Sequence, residues 1–218
     1  VGIENISTYG GQVDALFQVV LVVTGIAFIL TEAVLIYLLI RYRARAGRKA
    51  QYIHGNRRLE VMWTVVPGLM LFGLAVFQVG TWRLIELDLP SESDSLVIAL
   101  HAQQFEWHPT YPGADGAFGT DDDIEAPINV IHVPVNQKVI VNITAEDVLH
   151  SFFVPALRLK QDAVPGHEIA VWFEATETGE FEIACAELCG LGHYRMRAFL
   201  TVEEEADFEA WLAEIAAR

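Results

Sequence analysis

Residues 180–202 read Glu180-Phe181-Glu182-Ile183-Ala184-Cys185-Ala186-Glu187-Leu188-Cys189-Gly190-Leu191-Gly192-His193-Tyr194-Arg195-Met196-Arg197-Ala198-Phe199-Leu200-Thr201-Val202. The two ends of this stretch alternate as half-buried strands do, so they frame a loop between two late strands. Inside the loop stand Cys185, Cys189, His193 and Met196. Thiolate, imidazole and thioether are the soft and borderline donors that select copper. A single electron-transfer copper takes one cysteine, two histidines and a weak axial methionine, so the second cysteine is one thiolate too many for it. The surplus points to two metal ions sharing sulfur. The alternatives are a disulfide, which would leave His193 and Met196 without a reason to be there, and zinc, which has no use for methionine.

A second histidine is still required. His150 is the best placed, in the β-like segment Asp147-Val148-Leu149-His150-Ser151-Phe152-Phe153-Val154-Pro155. Blue-copper proteins share this layout, with one histidine from an early strand and the other ligands on a late loop. Strand-like segments recur around 96–100, 128–133, 139–144, 150–154, 169–175, 181–185 and 196–202, separated by Pro-, Gly- and Asp-rich turns. The expected product is an all-β, cupredoxin-like sandwich or barrel. In the acidic tail, Phe208, Leu212 and Ile215 are spaced for a short amphipathic helix.

The chain of 218 residues is 53% hydrophobic yet carries a net charge of -15. Segregation explains the pairing. Ala15 to Thr31 is free of charge and the apolar run continues past Glu32 to Ile40, while Val61 to Trp82 is a second uncharged run. Each is long enough to cross a hydrocarbon core, which takes about 20 helical residues. The connector holds Arg41, Arg43, Arg45, Arg48, Lys49, Arg57 and Arg58, a cluster that the positive-inside rule places in the cytoplasm. Both chain ends then lie outside, which predicts a two-helix transmembrane hairpin in residues 1–85 and an extracytoplasmic domain in 86–218. The first apolar stretch is too long for a signal peptide and lacks a basic start; a first residue other than Met suggests a processed or trimmed terminus.

From Glu86 onward there are 25 acidic and six basic residues. So acidic a surface repels nucleic acid and anionic lipid and draws in basic proteins; a general solubility adaptation is the other reading. Glu32 lies within an apolar helix and should face protein, because a lipid-facing carboxylate costs about 2.5–3.5 kcal/mol. The loop 113–123 is rich in Gly and Asp but lacks the ligand spacing of a calcium loop. His54, His101, His108, His132 and His167 have no ligand-like neighbours along the sequence and read as ordinary histidines. The chain has no C-x-x-C-H, so it carries no fused c-type haem segment of that kind.

Taken together, the loop Cys-x-Glu-x-Cys with its following Gly, His and Met, the segment Asp147 to Pro155, the segment Lys160 to Gly166, the aromatic run near Trp107 and the apolar segments resemble cytochrome c oxidase subunit II over nearly the whole chain. The resemblance implies two copper ions held by His150, Cys185, the Glu187 backbone carbonyl, Cys189, His193 and Met196. It implies that the Glu187 carboxylate points to Mg2+ at the contact with subunit I, a job suited to a hard oxygen ligand. It implies that Glu60 sits near the mouth of a proton-uptake channel, although a carboxylate at a helix N-terminus has a structural use as well. Where most members of that family have an electron-entry Trp, this chain has Phe105, which leaves Phe105, Trp107 or another exposed aromatic as the entry point.

By the same resemblance the chain is an oxidase subunit in a bacterial plasma membrane. It would accept electrons from a c-type cytochrome and pass them to haem in subunit I, which reduces oxygen to water with proton pumping. Other oxidase subunits and membrane lipid complete the expected partners. A copper-containing relay subunit of a membrane nitric oxide reductase is the alternative. Quinol oxidase subunits lack the copper ligands, and nitrous oxide reductase is soluble.

Overall fold

A computed structural model describes residues 2–49 and 51–218. It divides into two compact units, Gln12–Trp82 and a second formed by residues up to Gly11 together with Arg83–Arg218.

The first unit is built on two long helices, α1 (Gly10–Tyr42) and α2 (Arg57–Glu86). Both are long and apolar enough to cross a membrane, with mean hydropathies of 2.6 and 1.8 over their most apolar windows. At about 1.5 Å per residue each exceeds a hydrocarbon core of about 30 Å. Their large apolar side chains, among them Phe28, Ile29, Leu39, Leu69 and Phe72, are exposed, as lipid-facing residues are. The start of α2 is fixed by Asn56, whose Oδ1 accepts the backbone N–H of Arg58 and of Leu59 at 3.1 and 3.3 Å. Pro67 lies inside α2, one turn after Thr64, whose hydroxyl donates to the Glu60 carbonyl at 2.8 Å.

The second unit is a two-sheet sandwich. Its strands are β1 (Leu96–Gln103), β2 (Glu106–Tyr111), β3 (Ile124–Glu125), β4 (Val130–Pro134), β5 (Lys138–Ala145), β6 (His150–Val154), β7 (Leu159–Ala163), β8 (Ile169–Glu174), β9 (Gly179–Cys185) and β10 (Arg197–Glu203). One sheet has the order β3-β2-β1-β5-β8 and the other β4-β10-β9-β6-β7. Each contains one parallel pair, β1 with β5 and β4 with β10, among otherwise antiparallel neighbours. Alternation puts Ile98, Leu100 and Ala102 of β1, Trp107 and Tyr111 of β2, and Ala198, Leu200 and Val202 of β10 into the core. Three strands lie outside the segments expected from sequence: β2, which contains Pro109, the two-residue edge strand β3, and β7, whose Leu-Lys-Gln-Asp-Ala is mostly polar and forms a sheet edge.

At the N-terminus, the residues up to Gly11 group with the sandwich unit. Ile6 and Tyr9 are fully buried in the sandwich unit, not in the hairpin. The Ile6 N–H donates to the Ala156 carbonyl at 3.0 Å, its carbonyl accepts the Thr176 N–H at 2.8 Å, and the Tyr9 hydroxyl donates to the Trp172 carbonyl at 3.1 Å. The tail forms helix α3 (Glu205–Ala216), which buries Phe208 and Ile215 and lays Trp211 flat on His132 with ring centroids 4.0 Å apart.

Candidate metal centre

Two strand ends and one loop bring the expected donors together. His150 opens β6, Cys185 ends β9, and the loop returns through Cys189, His193 and Met196 to β10. In the register, Phe152 of β6 stands opposite Cys185 of β9, which carries the histidine-bearing strand to the loop. The loop is closed at its neck by the Cys185 N–H, which donates to the Met196 carbonyl at 3.1 Å, and tied to β6 by the Ala186 N–H to the Ser151 carbonyl at 3.0 Å. A tight turn at His193–Arg195 folds the imidazole back toward the cysteines. Gly190 sits at φ 127°, a conformation that side chains rarely adopt, so the sharp bend after Cys189 needs glycine.

The donor atoms fall into two halves. Cys185 Sγ lies 4.0 Å from His150 Nδ1 and 3.2 Å from the Glu187 carbonyl oxygen. Cys189 Sγ lies 3.6 Å from His193 Nδ1 and 3.7 Å from Met196 Sδ. The two sulfurs are 3.8 Å apart, both as free thiols. Ligand atoms that share a first-row metal at bonds of about 2.0–2.3 Å stand roughly 3.3–4 Å apart, so the spacing fits metal binding. His150, Cys185 and Cys189 are all buried, with ligand atoms within 4.8 Å of one another.

Electrostatics point the same way. Burial raises the pKa of the Cys189 thiol, and the neighbouring Cys185 raises it further. Two thiolates cannot share this dry pocket without a multivalent cation to offset them. His150 is oriented by Asp147, whose Oδ1 lies 2.8 Å from Nε2, leaving Nδ1 turned to the sulfurs. Burial pushes the Asp147 carboxyl up, but hydrogen bonds from His150 and from the backbone N–H groups of Gln104 and Val148 outweigh it and hold the group below its ordinary value. Gln104 closes the circuit: its N–H donates to Asp147 Oδ2 at 2.8 Å and its side-chain amide to the Cys189 carbonyl at 2.6 Å. Sequence reading assigned neither residue a role. The Asp-x-x-His spacing was the available signal, since metal-bound imidazoles usually carry a carboxylate on the far nitrogen.

The other expected residues lie apart from this cluster or at its rim. Phe105 is half-buried against the loop, beneath the Arg195 guanidinium at 5.8 Å. Any side chain at Gly192 would collide with its ring. Trp107 was expected among exposed aromatics and is instead fully enclosed, edge-on to Phe152 at 5.8 Å and to His150 at 6.2 Å. Its position on the inward face of β2 is the reason. The large apolar side chains exposed on the loop are Leu188, Leu191 and Tyr194, with Arg195 exposed beside them. The Glu187 side chain is half-buried beside Cys185, and Glu60 lies in the first turn of α2, in the other unit.

Comparison with known proteins agrees with both units. Residues 6–80 match the family described as Cytochrome C oxidase subunit II, transmembrane domain, and residues 115–203 match Cytochrome C oxidase subunit II, periplasmic domain. The alternative cytochrome c oxidase subunit 2 of Bradyrhizobium diazoefficiens is 31% identical over 230 residues, covering 96% of this chain and 82% of the relative. Cytochrome c oxidase subunit 2 of Alkalihalophilus pseudofirmus is 35% identical over 202 residues, with 90% of this chain aligned to 56% of that protein. Among solved structures, the periplasmic domain of subunit II of cytochrome oxidase of Bradyrhizobium japonicum superposes with a TM-score of 0.51 at 30% identity, over 59% of this chain and 97% of that one. That family binds copper, and the buried His/Cys/Cys group is present here. With two apolar helices and a sandwich carrying this donor set, the chain belongs to the cytochrome c oxidase subunit II family and is a membrane-protein subunit of a haem-copper oxidase, an oxidoreductase complex.

Proposed function

We propose that this chain is the electron-entry subunit of its oxidase, receiving electrons singly from a c-type cytochrome and passing them to haem in subunit I, where oxygen is reduced to water with proton pumping. The observation that carries this reading is the pairing of donors into two halves across a 3.8 Å sulfur–sulfur contact. His150, the Glu187 carbonyl and Cys185 would hold one copper ion, and Cys189, His193 and Met196 the other, with both thiolates shared. Such a pair supplies a one-electron store whose charge is spread over two metals. The residues around it keep the geometry fixed: the neck of the loop, the Asp147–His150 bond and the Gln104–Cys189 bond each restrain a ligand, so little rearrangement accompanies each transfer.

The acidic outer unit steers a basic donor, and electrons enter by way of Phe105, which lies against the ligand loop, or of Trp107 beneath it. The Glu187 carboxylate serves Mg2+ at the contact with subunit I, and Glu60 lies at the mouth of a proton-uptake channel. The basic connector faces the cytoplasm, with the copper centre and both termini outside. The test is the reduction rate by a basic c-type cytochrome as ionic strength is raised. The reading predicts a steep fall. A rate indifferent to salt would remove the docking role of the acidic surface.

A further inference from the structure

The connector between α1 and α2 gathers positive charge that nothing in the chain offsets. Arg41, Arg43, Arg45, Arg48, Lys49, Arg57 and Arg58 fall within it or at the helix ends it joins, and no acidic residue stands between Glu32 and Glu60. Among the described residues none of these seven is in an ion pair. The guanidinium groups of Arg41 and Arg48 lie 5.4 and 5.6 Å from the centre of the Tyr42 ring, and Arg48 Nη1 donates to the Arg41 carbonyl at 3.2 Å. Two cations are thus held at one ring with no counter-charge from the chain. Tyr42, Arg43, Arg45, Arg48, Lys49 and Ile53 line a cleft of about 610 Å³ in this segment. The large apolar side chains interleaved with the charges, Tyr42, Tyr52 and Ile53, are exposed.

We propose that this connector binds the headgroups of anionic phospholipids. It joins two helices that span the membrane, so it lies at a bilayer surface, where lipid phosphate is the nearest source of negative charge. Guanidinium groups match phosphate oxygens with paired hydrogen bonds, and lysine adds a point charge. Each Lys or Arg beside a span adds roughly fivefold to affinity for an anionic lipid surface. Tyrosine settles at the level of the headgroups, with its ring toward the apolar zone and its hydroxyl toward water, and Tyr42 and Tyr52 bracket the charged stretch from Arg43 to Lys49. Exposed Tyr52 and Ile53 favour lipid over an acidic protein segment, because a bilayer gives both side chains an apolar phase to enter. The inference rests on the two membrane spans and stands independently of the copper reading.

The test is native mass spectrometry of the full chain in neutral detergent, titrated with phosphatidylglycerol or with phosphatidylcholine. The expected result is binding of phosphatidylglycerol at least about tenfold tighter than phosphatidylcholine. The combined variant Arg43→Gln, Arg45→Gln, Arg48→Gln and Lys49→Gln should lose that preference, while Lys138→Gln in the sandwich leaves it unchanged. Arg41, Arg57 and Arg58 are kept in the variant so that its orientation in the membrane is preserved. Wild-type helix content by circular dichroism shows that it folds. Equal affinity for the two lipids in the wild type, a combined variant that keeps the preference, or displacement of phosphatidylglycerol by an equal concentration of inorganic phosphate would overturn the proposal. So would an assembled oxidase in which Lys49 is shielded from an amine-reactive label whether or not phosphatidylglycerol is present, since that result gives the surface to a partner protein.

Discussion

Replacing Gly192 by Ala tests whether the Phe105 ring sets the position of the ligand loop. A Cβ at Gly192 would lie 2.4 Å from Phe105 Cδ2, 2.6 Å from Cγ and 2.7 Å from Cε2. Carbon atoms in contact sit about 3.5–4.0 Å apart, so ring or loop must move by about 1 Å. Gly192 has φ -92°, which alanine adopts freely, so the effect is steric and not a matter of backbone conformation. Overpacking of this kind costs about 1–3 kcal/mol. Gly192 precedes His193, whose Nδ1 faces Cys189 Sγ at 3.6 Å, and metal–ligand distances tolerate only about 0.2 Å. Gly192→Ala should therefore lower stability by about 1–3 kcal/mol and weaken copper retention against a competing chelator. Phe105→Ala removes the obstacle, so the double variant should recover much of the loss, with a coupling energy of about 1–3 kcal/mol. Wild-type copper retention and stability in Gly192→Ala, or effects of the two substitutions that simply add, would refute the reasoning.

Asp147→Asn should weaken copper binding about 10–100-fold, measured by chelator competition, because His150 loses the carboxylate that orients it; unchanged affinity would deny Asp147 that role. Burial raises the pKa values of Tyr9 and Tyr111 far above the ordinary phenol value near 10. Both phenols are neutral in either state below pH 10; above it the unfolded chain ionises first, so stability is intact below pH 10 and falls as pH rises. Above pH 10 each group contributes a loss of about 1.4 kcal/mol per pH unit, and Tyr111→Phe should reduce the slope of melting temperature against pH between about 10 and 12. A slope that does not change would exclude Tyr111 from the alkaline response.

The metal ligands were legible because their chemistry is concentrated. Two cysteines, a histidine and a methionine in one loop name a donor set before any fold is known, and the alternating strands on either side supply its frame. The two apolar helices were legible from length and charge alone. What escaped was set by pairing between distant segments. β7 is polar because it is an edge, and β2 contains a proline, so neither carries a clean strand pattern. Ile6 and Tyr9 are too few to form a periodic signal, yet they are buried among strands more than 140 residues away. Trp107 and Phe105 look alike in sequence; only the alternation of β2 sends the indole inward. Asp147 and Gln104 carry roles that appear only when β1, β6 and the loop meet at one end of the sandwich.

Whether the two halves of the donor set hold a pair of copper ions with shared thiolates can be measured directly. The direct measurement is copper per chain together with the electron paramagnetic resonance spectrum of the oxidised full chain. Two copper ions sharing one unpaired electron are expected, seen as hyperfine splitting by both nuclei equally, with loss of that spectrum in Cys189→Ala. One copper ion with an ordinary mononuclear spectrum, zinc in its place, or a paired-copper signal that survives Cys189→Ala would contradict the shared-thiolate pair.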